Sequence, residues 1–195
     1  MAIRRILNIE DPDDKKILKA KARPVQLPNP KLKALIADMF ETMHAANGVG
    51  LAAPQIGISQ RLAVIYIPPE VEEREDGSQV EVAPAEEYAL INPQIIKRSE
   101  QEETDHEGCL SMPGWYGEVP RPAWVTVEFS GLDGKRYRLR KADGLLGRAL
   151  QHEIDHLDGV MFTERMRDLS TLKDYSKDKA DAPSHRPQEA EPTEA

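Results

Sequence analysis

The chain has 195 residues, with 26 Lys+Arg against 34 Asp+Glu, a formal net charge of -8 and a hydrophobic content of 39%. That length buries a real core within one domain, and the acidic balance argues against a protein whose main task is gripping duplex nucleic acid. A single cysteine excludes an intrachain disulfide, no stretch approaches the ~20 apolar residues of a membrane span, and MAIRRILNIEDPDD lacks the apolar run of a signal peptide. The expectation is a soluble, cytoplasmic protein with neither DNA nor membrane as partner.

In chain order, Leu32, Leu35, Ile36, Met39, Phe40 and Met43 recur at helical spacing, which predicts a long N-terminal helix over 31–46. Residues 61–67 read as a strand stopped by Pro68-Pro69, with 88–96 as its antiparallel partner. Between them, 70–87 carries eight acidic residues against Arg74 alone, which reads as a solvated acidic loop or hairpin tip. Residues 123–130 and 135–140 flank the turn Gly131-Leu-Asp-Gly134 as a second antiparallel pair. Asp143-Gly144 opens a helix to about Leu157, with Gly159 placed to end it. Strands in the middle with helices at the ends predict an α+β fold rather than a doubly wound parallel sheet. A short exposed helix is expected over 171–179, and a disordered acidic tail from Ala180, where aromatic residues are absent.

The chemistry concentrates in Gln151-His-Glu-Ile-Asp-His156. Residues four apart on a helix differ by about 40°, so His152 and His156 project side by side and can share one cation. Glu153, rotated by about 100° from His152, falls beside such an ion and can take a proton from a water that it activates. The surrounding Leu145, Leu146, Ala149, Leu150, Ile154 and Leu157 mark a buried helix, where two imidazoles and a carboxylate without partners are costly; a metal removes that objection. A third ligand is needed. Where extended zinc-protease motifs place a third histidine, this chain has Phe162. His185, Glu164, Asp168 and His106 remain formal alternatives, and Cys109 in Glu107-Gly-Cys-Leu-Ser-Met-Pro113 is preferred because thiolate is a strong ligand for such ions. A glycine-rich segment, 48–57, permits close approach of a ligand to the backbone, yet lacks the ending of a phosphate loop.

Together GVGLAAPQIG (48–57), EGCLSMP (107–113) and QHEIDHLDG (151–159) resemble the three motifs of the peptide deformylases, in that family's order and spacing, over roughly residues 1–169. The resemblance implies a catalytic domain over 1–169 whose α+β fold packs antiparallel strands around a central metal-binding helix, and hydrolysis of the N-formyl group from the N-terminal formylmethionine of newly made polypeptides, releasing formate. It implies Cys109, His152 and His156 as metal ligands, Glu153 as proton shuttle, and the Gln55 side-chain amide with the Leu110 backbone N–H as oxyanion donors. Gly50 would hold the formylated end through its backbone. Fe2+ is implied as the native ion, replaceable by Zn2+ or Ni2+. Ile154, Leu157 and the Trp115-Tyr116 segment are expected walls of a methionine pocket. Met112 stands where aliphatic residues are common in the family. Residues 170–195, with four Lys/Arg and six Asp/Glu, lack the basic character with which some family members dock on the ribosome, so any ribosomal proximity should not run through this tail. The rival readings are a zinc endopeptidase, opposed by Phe162, and a non-catalytic metal-binding protein, opposed by the lack of a second cysteine to close a structural site.

Overall fold

The computed structural model describes residues 2–74 and 78–177. The first helix, α1 (Pro12–Leu18), starts where Asp11 accepts hydrogen bonds from the Asp13 and Asp14 amides, with Pro12 at a position whose missing N–H is no loss. The long helix expected near the N-terminus is α2 (Leu32–Ala45), the second of the chain. There follow β1 (Gly50–Ala52), β2 (Leu62–Ile67), β3 (Glu70–Glu73), β4 (Gln79–Ala83), β5 (Glu86–Arg98), β6 (Glu102–Cys109), β7 (Met112–Pro122), β8 (Trp124–Ser130) and β9 (Arg136–Asp143). The chain then enters α3 (Gly144–Leu157) and later adds a two-residue strand, β10 (Lys173–Asp174).

All strand pairing within the sheets is antiparallel. A five-stranded sheet runs β1-β2-β5-β8-β9, a three-stranded sheet runs β10-β7-β6, and β3 pairs only with β4. Alternation along β2 explains the layering. Leu62 and Val64 face α2 and pack with Leu32, Ile36, Met39 and Met43. Ile65, one residue on, faces α3 and packs with Leu90, Val125, Val127, Leu150 and Ile154. β2 is thus buried on both faces, and each such Leu, Ile or Val contributes at most about 1.5–3 kcal/mol by leaving water.

The end of α3 is fixed by its backbone. Gly159 sits at φ 75°, its N–H donates to the His156 carbonyl, and the Val160 N–H reaches the Asp155 carbonyl. A side chain at Gly159 would also meet the Lys19 carbonyl oxygen at 2.5 Å.

Two segments differ from the sequence pattern. The acidic stretch is the β3–β4 hairpin, and its last two acids, Glu86 and Glu87, already belong to β5, paired with Ile67 and Tyr66. Where a helix was expected over 171–179, the described part is extended: β10 pairs with Trp115 and Tyr116, and the Tyr175 N–H donates to the Gly114 carbonyl. β7 has an open edge there, and edge pairing outcompetes the weak helical preference of Thr171-Leu-Lys-Asp-Tyr-Ser. The expected disorder from Ala180 falls outside the described residues. No helix among the described residues is long and apolar enough to cross a membrane.

Candidate metal centre

Three elements meet at the site. β6 ends at Cys109, which packs with Val119 of β7 and with Met161 and Phe162 of the segment after α3. α3 supplies His152, Glu153 and His156, and the short turn after β1 supplies Gln55. The N-terminal segment ties these parts together, since the Leu7 N–H donates to the Gln55 carbonyl and the Ile9 N–H to the Ser111 carbonyl.

The ligand-type atoms of Cys109, His152 and His156 lie within 4.8 Å of one another. His156 Nε2 is 3.1 Å from His152 Nε2 and 3.2 Å from Cys109 Sγ. His156 Nε2 is thus within reach of both other atoms, and three ligand-type atoms share one small volume. Their spacing is near the ~3.3 Å edge of a tetrahedron built on ~2.0–2.1 Å metal–nitrogen bonds. The donor set, one thiolate and two imidazoles, therefore fits a first-row divalent ion with one position left open.

The support around His152 was not foreseen. Its Nδ1 is 2.9 Å from Glu107 Oε2, so a hydrogen bond there leaves Nε2 free to ligate. Glu107 is buried and also accepts from Arg121 Nε and NH2 and from Arg148 NH1, each at 2.9 Å. Burial alone would raise the Glu107 carboxyl, yet the bonds from Arg121 and His152 hold it well below the usual carboxylate range. Arg121 is held on its other side by Asp155 Oδ2 at 2.5 Å, and Asp155 in turn receives Nε and NH2 of Arg165. His152 is pulled both ways: burial lowers it, while bonds from Cys109 and Glu107 raise it and prevail. His156 is pushed down by burial and by the charge of His152.

Glu153 stands beside the ligand group without belonging to it. It is buried, its Oε2 has no hydrogen-bond partner among the described residues, and burial pushes its carboxyl up to about 7. An unpartnered acceptor at this place can receive a proton from a water in the open position. Gly50 shows why the loop needs glycine: an added Cβ would lie 2.3 Å from Glu153 Oε1. Gln55 is 2% exposed, and its Oε1 accepts from the Ala52 N–H at 2.8 Å. That bond turns Nε2 toward Ser111 Oγ at 3.3 Å and Cys109 Sγ at 3.6 Å. Leu110 is half-buried next to Cys109.

The other ligand alternatives are spent elsewhere. His106 alternates with Glu107 on β6 and so points to the opposite face. Glu164 pairs with Lys19 and accepts from the Met161 N–H, and Asp168 accepts from the Ser170 N–H. His185 lies outside the described residues. Phe162, at the protease third-histidine position, is buried and stacks on His152 with ring centroids 6.3 Å apart. The expected methionine-pocket walls need correction. Ile154 and Leu157 are built into interior clusters, and Ile154 lies about 200° around the helix from His152.

A family model for polypeptide deformylases matches residues 3–171. The chain belongs to that family. It is 73% identical over 180 residues to a peptide deformylase of Roseiflexus sp. strain RS-1, covering 92% of this chain and 97% of that one. It is 64% identical to a peptide deformylase of Chloroflexus aggregans, over 100% of this chain and 99% of the relative. Among solved structures, a peptide deformylase from Legionella pneumophila superposes with a TM-score of 0.70 at 40% identity, covering 87% of this chain and 89% of that one. A class I type b peptide deformylase from Acinetobacter baumannii bound to Met-Ala-Ser gives 0.70 at 31% identity, over 85% and 99% of the two chains. The deformylase family is metal-dependent, in keeping with the Cys/His group of this chain.

Proposed function

We propose that this deformylase removes the formyl group from N-formylmethionyl peptides by metal-dependent hydrolysis, with Cys109, His152 and His156 as the ligands. The carrying observation is the convergence of those three donors beside the unpartnered, buried carboxylate of Glu153. A divalent ion held there supplies Lewis acidity toward the formyl carbonyl and makes a water nucleophilic near neutral pH. Fe2+ is assigned as the native ion on the family resemblance, and the mixed sulfur and nitrogen donors suit Zn2+ and Ni2+ as replacements.

Glu153 accepts the proton of the attacking water at its free carboxylate oxygen and passes it to the departing amine. Gln55 Nε2, held by the Ala52–Gln55 hydrogen bond, and the Leu110 N–H meet the negative charge as it develops on the formyl oxygen. Gly50 offers its backbone to the formylated end, and its missing side chain keeps Glu153 in place. Leu145, seven residues before His152 and therefore on the same helix face, is half-buried and outside every hydrophobic cluster, which suits it to receive the methionine side chain. The tripeptide on the Acinetobacter relative begins with methionine, the end expected after deformylation, and supports this substrate class. Newly made polypeptides as substrates place the enzyme in the cytoplasm, in transient proximity to the ribosome.

The zinc-endopeptidase reading fails on Phe162, which fills the third-histidine position with a buried ring, and the non-catalytic reading fails on membership of an enzyme family with the glutamate present. The deciding experiment is anaerobic formate release from a formyl-methionyl peptide by Fe2+-loaded protein. Release without cleavage of internal bonds is expected. No release from protein holding one ion per chain would refute the proposal.

A further inference from the structure

Cys109 stands on β6, whereas His152 and His156 stand on α3, and among the described residues no cluster of the hydrophobic core joins α3 to β6 or β7. Polar side chains make that joint. Alternation along β6 sends Asp105, Glu107 and Cys109 to one side, about 6.7 Å apart along the strand. Steps of four along α3 bring Arg148, His152 and His156 to one face, about 6 Å apart along the axis. The two repeats nearly match, and the side chains meet as rungs. Arg148 NH1 donates to Glu107 Oε1 at 2.9 Å, with its Nε 4.0 Å from Asp105 Oδ2. His152 Nδ1 is 2.9 Å from Glu107 Oε2, and His156 Nε2 is 3.2 Å from Cys109 Sγ. Among the described residues only the first rung is also tied to backbone of these strands. Arg148 NH1 donates to the Val119 carbonyl of β7 at 2.9 Å, and its NH2 to the Glu103 carbonyl of β6 at 3.0 Å. Gln151 of α3 also bonds to this sheet, but to β7 alone, at the Pro122 carbonyl.

We propose that Arg148 is a positioning residue for deformylation, setting the register of the Cys109-bearing strand against the histidine-bearing helix so that the third rung closes at ligand distance. This role rests on the ligand set given above. Arginine suits it because the guanidinium is a flat, always-charged fork that serves several fixed acceptors at once. The Arg148 side chain is 14% exposed and that of Glu107 4%, so solvent screens their contact far less than a surface pair. Arg148 makes no hydrogen bond to any of the three ligands; its effect passes through Glu107 and the two strands.

The test loads the full chain with Co2+, follows the near-ultraviolet absorption of the cobalt–thiolate bond, and measures release of the ion to excess chelator well below the melting temperature. Arg148→Met removes every donor and keeps an unbranched apolar stem. It should release the ion about 10-fold faster, the lower end of the range for groups that orient ligands, with an altered thiolate band. Arg148→Lys keeps the charge but not the fork, and should release it about 3-fold faster. Arg5→Met, which breaks the ion pair with Asp14 beside α1, should release it at the parental rate. Parental release and band in Arg148→Met overturn the proposal whatever happens to its melting temperature, and so does equally fast release from Arg5→Met. If Arg148→Met does not fold, parental release from Arg148→Lys overturns it. A parent chain that takes up no Co2+, or takes it up without a thiolate band, refutes the ligand set and this role with it. A thiolate band in the parent with unchanged release in the Arg148 variants refutes the register role alone.

Discussion

Replacing Glu107 with glutamine tests whether the buried ion network holds the metal site in place. Glu107 accepts four hydrogen bonds, two at each oxygen, from Arg121, Arg148 and His152. A glutamine amide keeps one oxygen and turns two N–H groups toward one pair of donors, so two contacts become donor against donor. Breaking a buried ion pair on one side costs roughly 3–5 kcal/mol, and the surviving Arg121–Asp155 bond puts the expected cost at the low end, about 3 kcal/mol. For a domain of this size that lowers the melting temperature by about 6–12 °C. Loss of the His152 orienting bond should raise the rate of metal loss to a chelator by roughly 10–100-fold. The deficit has a defined pH behaviour. A carboxylate whose folded pKa lies below its unfolded value stabilises the protein above the unfolded value, about 4.5, and loses that contribution only as pH falls through the folded one. In the metal-free protein the difference between parent and Glu107→Gln should therefore be largest near pH 6 and narrow as pH rises from about 6.5 through the raised folded value of His152, whose proton Glu107 helps to hold. Melts of the metal-free proteins at several pH values and chelator kinetics on the loaded ones measure both effects. Parental stability together with a parental rate of metal loss would refute the reasoning.

Three further outcomes are expected. Glu153→Ala should retain one metal per chain by elemental analysis while formate release falls by roughly 10²–10⁴-fold, the usual contribution of a general base; unchanged turnover would remove Glu153 from the mechanism. Gly50→Ala places a methyl group 2.3 Å from Glu153 Oε1, so the carboxylate must shift, and turnover should fall by about 10²-fold with metal content intact. Asp14 is held below its ordinary range by bonds from the Asn8 N–H and Arg5, and Asp38 by Arg4 and the Ala2 N–H. Both stabilise the fold above about pH 4 and lose that effect as pH falls through their folded values, so Asp38→Asn should narrow the stability gap to the parent in acid titrations below pH 4 and show it fully at pH 7.

Much of this architecture was legible from residue spacing. The apolar period of 31–46 and of the last helix, and the alternation in 61–67, 88–96 and 123–130, give α2, α3 and most of the five-stranded sheet, because each of those elements buries a face against another. β6 and β7 were not legible. β6 reads Glu-Glu-Thr-Asp-His-Glu-Gly-Cys, mostly exposed at its start, and β7 carries glycine and proline; their strand form comes from long mutual pairing, which local propensity does not report. At the site, the proposed ligands stood out because imidazoles inside an apolar helix demand an explanation. Glu107, Arg121, Arg148 and Asp155 did not, since charged residues usually mark solvated surface. One signal was available: Asp155 lies between two histidines on a helix read as buried, and a buried carboxylate requires a cation from elsewhere in the chain.

Cys109 and His156 are 47 residues apart in sequence yet 3.2 Å apart in the fold. An unfolded chain offers an ion only the local His152–His156 pair, so tight capture waits until β6 has docked on α3 and the loop between them has closed. Occupancy then draws on the folded state alone: at a free-ion concentration a thousandfold above the dissociation constant it adds about 4 kcal/mol to stability. In a chain whose only cysteine rules out an internal disulfide, the metal would serve as a removable cross-link between sheet and helix. Starvation for the ion would then register first as a shorter protein lifetime, alongside the loss of turnover.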